Sequence, residues 1–156
     1  MAAGKIQAPI ALDAMGGDNA PNCVIAGAEM ALIRHPGIKF IIFGNEPELT
    51  PLINARPALK AVSEIVHTPH FIASEDKPSV AVRRGKNSSM WLAIESVKDG
   101  RACAVVSSGN TGALMAISKL VLRTLPGVYR PAIAALFPTL RGECVMLDLG
   151  ANVESD

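Results

Sequence analysis

Three short stretches of this chain combine glycine with carboxylate, amide or hydroxyl side chains, and each follows an apolar run. The first is Asp13-Ala14-Met15-Gly16-Gly17-Asp18-Asn19-Ala20-Pro21. Its two glycines permit a tight turn and close backbone approach, Asp18 or Asn19 can cap a following helix, and Pro21 suits that helix's first turn. Amides exposed at such a helix start favour an anion, commonly phosphate; a well-capped strand-to-helix turn accounts for the same residues. The second stretch, Ser107-Ser108-Gly109-Asn110-Thr111-Gly112, offers hydroxyls, a side-chain amide and flexible backbone amides just before a helix. Such a nest can hold phosphate or a developing oxyanion, and the competing reading is again a capped turn. The third, Leu147-Asp148-Leu149-Gly150-Ala151-Asn152, ends an apolar run with a carboxylate and an amide able to orient a ligand or a neighbouring side chain.

A fourth stretch is cationic. Arg83-Arg84-Gly85-Lys86-Asn87-Ser88-Ser89-Met90 sets three positive charges ahead of a helix that Asn87 or Ser88 can cap. It can meet phosphate or an acidic carrier protein, although charged clusters are usually solvated faces. His35, His67 and His70 have no motif-like partner, which favours surface or structural roles. Cys23, Cys103 and Cys144 are an odd, widely spaced set without a CxxC pair, as in reduced thiols of a cytosolic protein. Each lies within an apolar run, so buried structural thiols are expected. The chain lacks the GxxxxGK[ST] phosphate loop, the GxGxxG dinucleotide fingerprint, HExxH and the GxSxG nucleophile elbow.

The elements that must position these loops alternate in type. Ile6 to Leu12 reads as a first strand and Pro21 to Ile33 as the helix after it, ended by His35, Pro36 and Gly37. Ile38 to Phe43 is a buried strand, Pro47 to Ala55 a short helix, and Ser63 to His67 a third strand. Met90, Ile94 and Val97 recur at helical spacing and predict a helix from Ser88 to near Gly100. Ala102 to Val106 forms a further strand, and Leu114, Ile117 and Val121 mark another helix, broken by Pro126 and Gly127. Ala132 to Phe137 and Cys144 to Leu149 supply two more strands. The expected class is therefore α/β, a largely parallel sheet flanked by helices, in which ligands lie beyond the carboxyl ends of the strands. The strands ending near Leu12, Phe43, Val106, Phe137 and Leu149 are expected to share that sheet, so the three glycine loops would line one cleft.

At 156 residues, 49% of them hydrophobic, the chain has material for one well-packed core, and only 4% are aromatic. Fifteen basic against fourteen acidic residues give a formal charge of +1, which provides no global field for nucleic acid. Met1 to Lys5 does not open a secretory signal, so a cytoplasmic location is expected. The apolar stretch Ala102 to Leu125 is interrupted by Ser107, Ser108, Asn110, Thr111, Lys119 and Arg123, against a transmembrane helix.

Read together, Asp13-Ala-Met-Gly-Gly-Asp18 with Pro21, Lys86 with Ser88-Ser89-Met90, Gly109-Asn-Thr-Gly-Ala-Leu-Met115, Arg130-Pro-Ala-Ile-Ala134 and Leu147-Asp-Leu-Gly-Ala-Asn-Val153 resemble the PlsX family of phosphate acyltransferases. Each piece is weak alone; five in order along nearly the whole chain are specific. Two positions depart from the pattern: Ser108 stands where alanine is expected, and Asn87 where aspartate is common. The resemblance implies a homodimeric α/β enzyme with a fold akin to isocitrate and isopropylmalate dehydrogenases and to phosphotransacetylase. It also implies peripheral association with the cytoplasmic membrane. Its members continue well beyond Asp156, so residues 1–156 are expected to be an amino-terminal portion.

The activity so implied converts acyl-[acyl carrier protein] and inorganic phosphate to acyl phosphate and free carrier protein. Phosphate is itself a usable nucleophile near neutral pH, so neither an acyl-enzyme nor a cofactor is needed. The site must position the anion and stabilise the tetrahedral oxyanion. On this reading Asn110, Lys86, Asp148 and Asn152 form the catalytic set, and Gly16, Gly17, Thr111 and Arg130 bind phosphate. Asp13 orients its neighbours, because a carboxylate beside phosphate repels it unless paired. Arg83 and Arg84 would meet the acidic carrier. Two other readings remain open on the sequence: a dehydrogenase of related fold, told apart by nicotinamide binding, and a noncatalytic carrier-binding module, told apart by carrier binding without acyl phosphate.

Overall fold

The computed structural model describes residues 8–129 and 131–147. The chain divides after Leu122 into two compact units. In the first, β1 (Ile10–Asp13) leads to α1 (Asn22–Arg34) and β2 (Phe40–Gly44). Next come α2 (Glu46–Asn54), α3 (Pro57–Lys60), β3 (Ser63–His67), α4 (Pro78–Arg84) and α5 (Ser89–Lys98). The unit ends with β4 (Ala104–Ser107) and α6 (Thr111–Leu122). All four strands are parallel, in the order β3-β2-β1-β4.

The interior place of β2 in that order suits its sequence. Ile41, Ile42 and Phe43 form a continuous apolar run, which suits a strand covered on both faces. Alternate side chains divide between two cores. Leu12, Phe40 and Ile42 pack with Ile25 and Ala28 of α1, with Leu49 and Ile53 of α2 and with Leu59 of α3. Ala11, Ile41 and Phe43 pack on the other face with Ala93 of α5. A third cluster joins Ala81 of α4, Met90, Trp91 and Ile94 of α5, and Ala113 and Ile117 of α6.

After β1 the chain adds strands on one side, β2 and then β3, and returns to place β4 on the other side of β1. The order therefore reverses between β1 and β4, the topological switch point where ligands of open α/β sheets bind. The Asp13 and Ser107 loops leave these two strands, and Asp13 is paired with Ser107 in register.

The second unit contains β5 (Ala134–Thr139) and β6 (Gly142–Leu147), paired antiparallel as a separate two-stranded sheet. The expectation that these strands join the parallel sheet is thus incorrect. Only Leu140 and Arg141 separate them, and a parallel return needs a crossover of about a dozen residues or more. The cysteines need a correction too: Cys23, Cys103 and Cys144 are all exposed in this chain. An apolar run on a helix or an edge strand still turns some positions outward, and the run alone does not say which. Finally, α1 begins after Pro21 without a side-chain cap, so the expected capping by Asp18 or Asn19 is not realised. Asp18 accepts a hydrogen bond from Ser74 instead.

Candidate functional site at the switch point

The two glycine loops of the first unit interlock. Asp13, at the end of β1, is 1% exposed. Ser107 Oγ donates to Asp13 Oδ2 at 2.7 Å and accepts from the Gly109 amide at 3.1 Å. A relay of two hydrogen bonds thus runs from the backbone of one loop to the buried carboxylate under the other. Ser108 Oγ donates to the Gly16 carbonyl at 2.7 Å and ties the loops a second time.

Glycine is required where the loops touch. A side chain at Gly16 would run into Asp13 Oδ2 and reach within 3.0 Å of Gly109 Cα. Gly17 has φ +101° and lies against Ser108, whose carbonyl oxygen would be 2.7 Å from an added Cβ. The first position meets a steric demand and the second a conformational one as well. A side chain at Gly109 would come within 3.1 Å of Met90 Cε, so the start of α5 reaches this place too.

A strap closes the other side. Asn110 precedes α6, and its Oδ1 accepts from the Ala113 amide at 2.9 Å, the bond of a helix N-cap. Its Nδ2 donates to the carbonyls of Ser74 at 2.9 Å and Asp76 at 2.8 Å. Ser74 Oγ donates to Asp18 Oδ1 at 3.1 Å, and a side chain at Gly112 would meet Pro78 Cγ at 2.7 Å. Residues 74–78 thus hold the Asp18 end of one loop and the Asn110 end of the other. Within the described residues the amides of Thr111 and Gly112, in the first turn of α6, have no protein acceptor. These donors and the helix dipole favour an anion at this end of α6.

Of the residues singled out from sequence, Asp13, Gly16, Gly17, Asn110 and Thr111 come together at this switch point. Both hydrogens of the Asn110 side-chain amide are already used on carbonyls. Lys86 is exposed in the turn between α4 and α5, and Arg83 and Arg84 are exposed at the end of α4. Among the described residues none of these three cations forms an ion pair. Arg130, Asp148 and Asn152 lie outside the described residues. Ser88 caps α5 by accepting from the Trp91 amide at 3.2 Å.

Sequence reasoning assigned no role to Ser107, Ser74 or Asp76. Ser107 was legible as part of its loop, but its pairing with Asp13 depends on β1 and β4 being neighbours. The strap residues stand 34 and 36 positions from Asn110, and no local pattern announces such a contact.

A family description reading fatty acid synthesis protein matches residues 8–156. The chain belongs to the fatty acid synthesis protein family. Curated relatives agree with this assignment. A protein of Rhodospirillum centenum named phosphate acyltransferase is 60% identical over 147 residues, which are 94% of this chain and 41% of the relative. Proteins of the same name from Parvibaculum lavamentivorans and Rhodospirillum rubrum are 59% and 57% identical, covering 94% and 93% of this chain and 41% and 42% of their own lengths. The chain thus spans about two fifths of the length of the curated relatives it matches. Both interlocked loops of this fatty acid synthesis family member fall within the matched residues. Among the described residues no helix is long and apolar enough to cross a membrane.

Proposed function

We propose that this chain is the amino-terminal portion of a phosphate acyltransferase that transfers an acyl group from acyl carrier protein to inorganic phosphate. The observation that carries the reading is the interlocking of the Asp13 and Ser107 loops at the switch point, in a chain 60% identical to a relative named phosphate acyltransferase.

The chemistry balances without a cofactor. A phosphate oxygen attacks the thioester carbonyl, a C–O bond forms, and the tetrahedral oxyanion collapses with loss of the C–S bond. Acyl phosphate leaves, and the carrier thiolate takes up a proton to become the free thiol. The Thr111 and Gly112 amides, with the Gly16-Gly17 backbone, hold the anion. Lys86 and Arg130 balance its charge, while Asp148 and Asn152 orient the reacting groups. Asp13 stays off the ligand and positions Ser107 and, through it, Gly109. Asn110 serves by holding its loop and the 74–76 strap in register. Arg83 and Arg84 offer an exposed cationic edge to the acidic carrier. Two copies form the working enzyme in the cytoplasm, with peripheral contact to the membrane.

The test is phosphate-dependent formation of acyl phosphate from acyl carrier protein thioesters. It is run with this chain and with a chimera in which the chain replaces the matched stretch of the Rhodospirillum centenum relative. Acyl phosphate from the chimera supports the reading. Its absence from a folded chimera, beside an active parent relative, overturns it.

A further inference from the structure

Lys86 is an exposed cation on a backbone that is held at both of its neighbours. On one side, Gly85 donates its amide to the Ala81 carbonyl at 2.7 Å and accepts from the Ser88 amide at 2.9 Å. Gly85 is buried, and a side chain added there would run into the Ala81 carbonyl and come within 3.0 Å of Ile72 Cδ1. On the other side, Asn87 has φ 73°, a left-handed conformation that costs energy for any residue with a side chain. Its carbonyl accepts from Thr68 Oγ1 at 2.6 Å.

Thr68 is 4% exposed and stands just beyond β3. Its amide donates to the Gly44 carbonyl at 2.9 Å, which fixes it to the carboxyl end of β2. Its hydroxyl also accepts from the His70 amide at 3.2 Å, and the His70 carbonyl accepts from the Ser89 amide at 2.9 Å. One hydroxyl thus ties the end of the parallel sheet to the turn that carries Lys86. Helix α5 does not need this bond for its own cap, because Ser88 supplies that. Four residues after Lys86, Met90 Cε lies against Gly109. Ala11 packs with Ala93 of α5, so strand alternation puts Asp13 on that same face. The Lys86 turn and the interlocked loops therefore share one edge and one face of the sheet.

We propose that Thr68 is a positioning residue for Lys86, its hydroxyl setting the turn from which the ammonium meets the anion at the interlocked loops. The proposal rests on the acyltransferase reading, in which Lys86 balances the charge of phosphate, and adds the group that fixes where this charge stands. A lysine stem is flexible, so a fixed backbone leaves only the side chain to be ordered when the anion arrives.

Thr68→Val removes the hydroxyl and leaves the His70 amide and the Asn87 carbonyl without their partner. In the chimera it should raise KM for phosphate about tenfold and leave KM for acyl carrier protein within about twofold. Thr68→Ser keeps the hydroxyl and should stay within about twofold of the parent for both substrates. In a Lys86→Ala background, Thr68→Val should add nothing to the phosphate defect, since it acts through the Lys86 charge. A second pair reaches the turn from its exposed side. Asn87→Ala strains the left-handed position and should weaken phosphate selectively, whereas Asn87→Gly should not.

Equal defects for both substrates, no defect, or a Thr68→Val effect undiminished without Lys86 overturns the proposal. If Thr68→Val does not fold, the Asn87 pair decides, and equal phosphate KM in its two members overturns it. The two readings fail separately. A Lys86→Ala chimera that forms acyl phosphate with unchanged KM for phosphate removes the positioned cation and keeps the acyltransferase. Where a folded chimera forms no acyl phosphate, tryptic cleavage after Lys86 in this chain decides, with the exposed Arg141 as internal control. Inorganic phosphate should slow that cleavage alone, and Thr68→Val should need about tenfold more phosphate for the same protection. Protection unchanged by Thr68→Val, or none, overturns the proposal.

Discussion

Ser107 shows how much one hydroxyl can settle. It donates to a carboxylate that is 1% exposed and accepts the amide that shapes the next turn. In Ser107→Ala, Asp13 Oδ2 loses its hydroxyl donor and stays buried, a situation that costs about 1–3 kcal/mol. Urea unfolding of the variant should show that loss; an unchanged midpoint would mean that water replaces the hydroxyl. Asn110 carries more bonds. Asn110→Ala removes a helix cap, typically about 1 kcal/mol, and two side-chain bonds of about 0.5–1.5 kcal/mol each. The expected stability loss is therefore roughly 2–4 kcal/mol, more than a cap alone. Asn110→Asp keeps the capping oxygen but sets a carboxylate oxygen against the Ser74 and Asp76 carbonyls, so it should lose at least as much stability as the alanine variant. Near-wild-type stability of Asn110→Asp would assign the effect to the cap.

The helices and strands differ in how far their sequences disclosed them. The runs that became β2 and β3, and the periodic stretch that became α5, were legible because burial and period lie within a single segment. The direction of β5 and β6 was legible in principle from the short connection, but a strand pattern does not carry its pairing partner. Helix α4 escaped because Pro78–Arg84 offers only two turns and a single fully buried residue, Ala81; its cations read as a loop. The interlock of Asp13 with Ser107 needs both strands in place, so the candidate site was visible as two loops and not as one locus. Two predictions belong at this scale. Ser88→Ala should destabilise the chain by about 1 kcal/mol through the lost cap of α5, and Ser88→Asp should destabilise it further by putting a carboxylate at a position that is 1% exposed; a thermal shift comparison checks both. In the chimera, Arg83→Ala and Arg84→Ala should raise KM for acyl carrier protein more than for phosphate, an effect that fades as salt rises. Equal defects for both substrates would move these arginines out of the carrier surface.

For the first unit as a whole, the sheet is shared by cores on its two faces. Ile42 is fully buried on the α1 side, while Trp91, the only tryptophan, sits in the cluster of α4, α5 and α6. If the unit unfolds as one, Ile42→Ala should lower stability by about 2–5 kcal/mol as read by Trp91 fluorescence. A tryptophan transition left in place, beside loss of helix signal at lower urea, would show that the two cores melt independently.

The double use of Asn110 has a kinetic consequence. Any ligand that draws its amide hydrogens away must release residues 74–76 in the same act, and a turn of the side chain would also free the Ala113 N–H. That single amide is therefore a built-in clock for opening of the strap. Its hydrogen exchange, followed by NMR, should speed up when the 74–76 segment lifts and slow when an anion locks the loops together. The Ile117 amide, one turn deeper in α6, should keep its own pace.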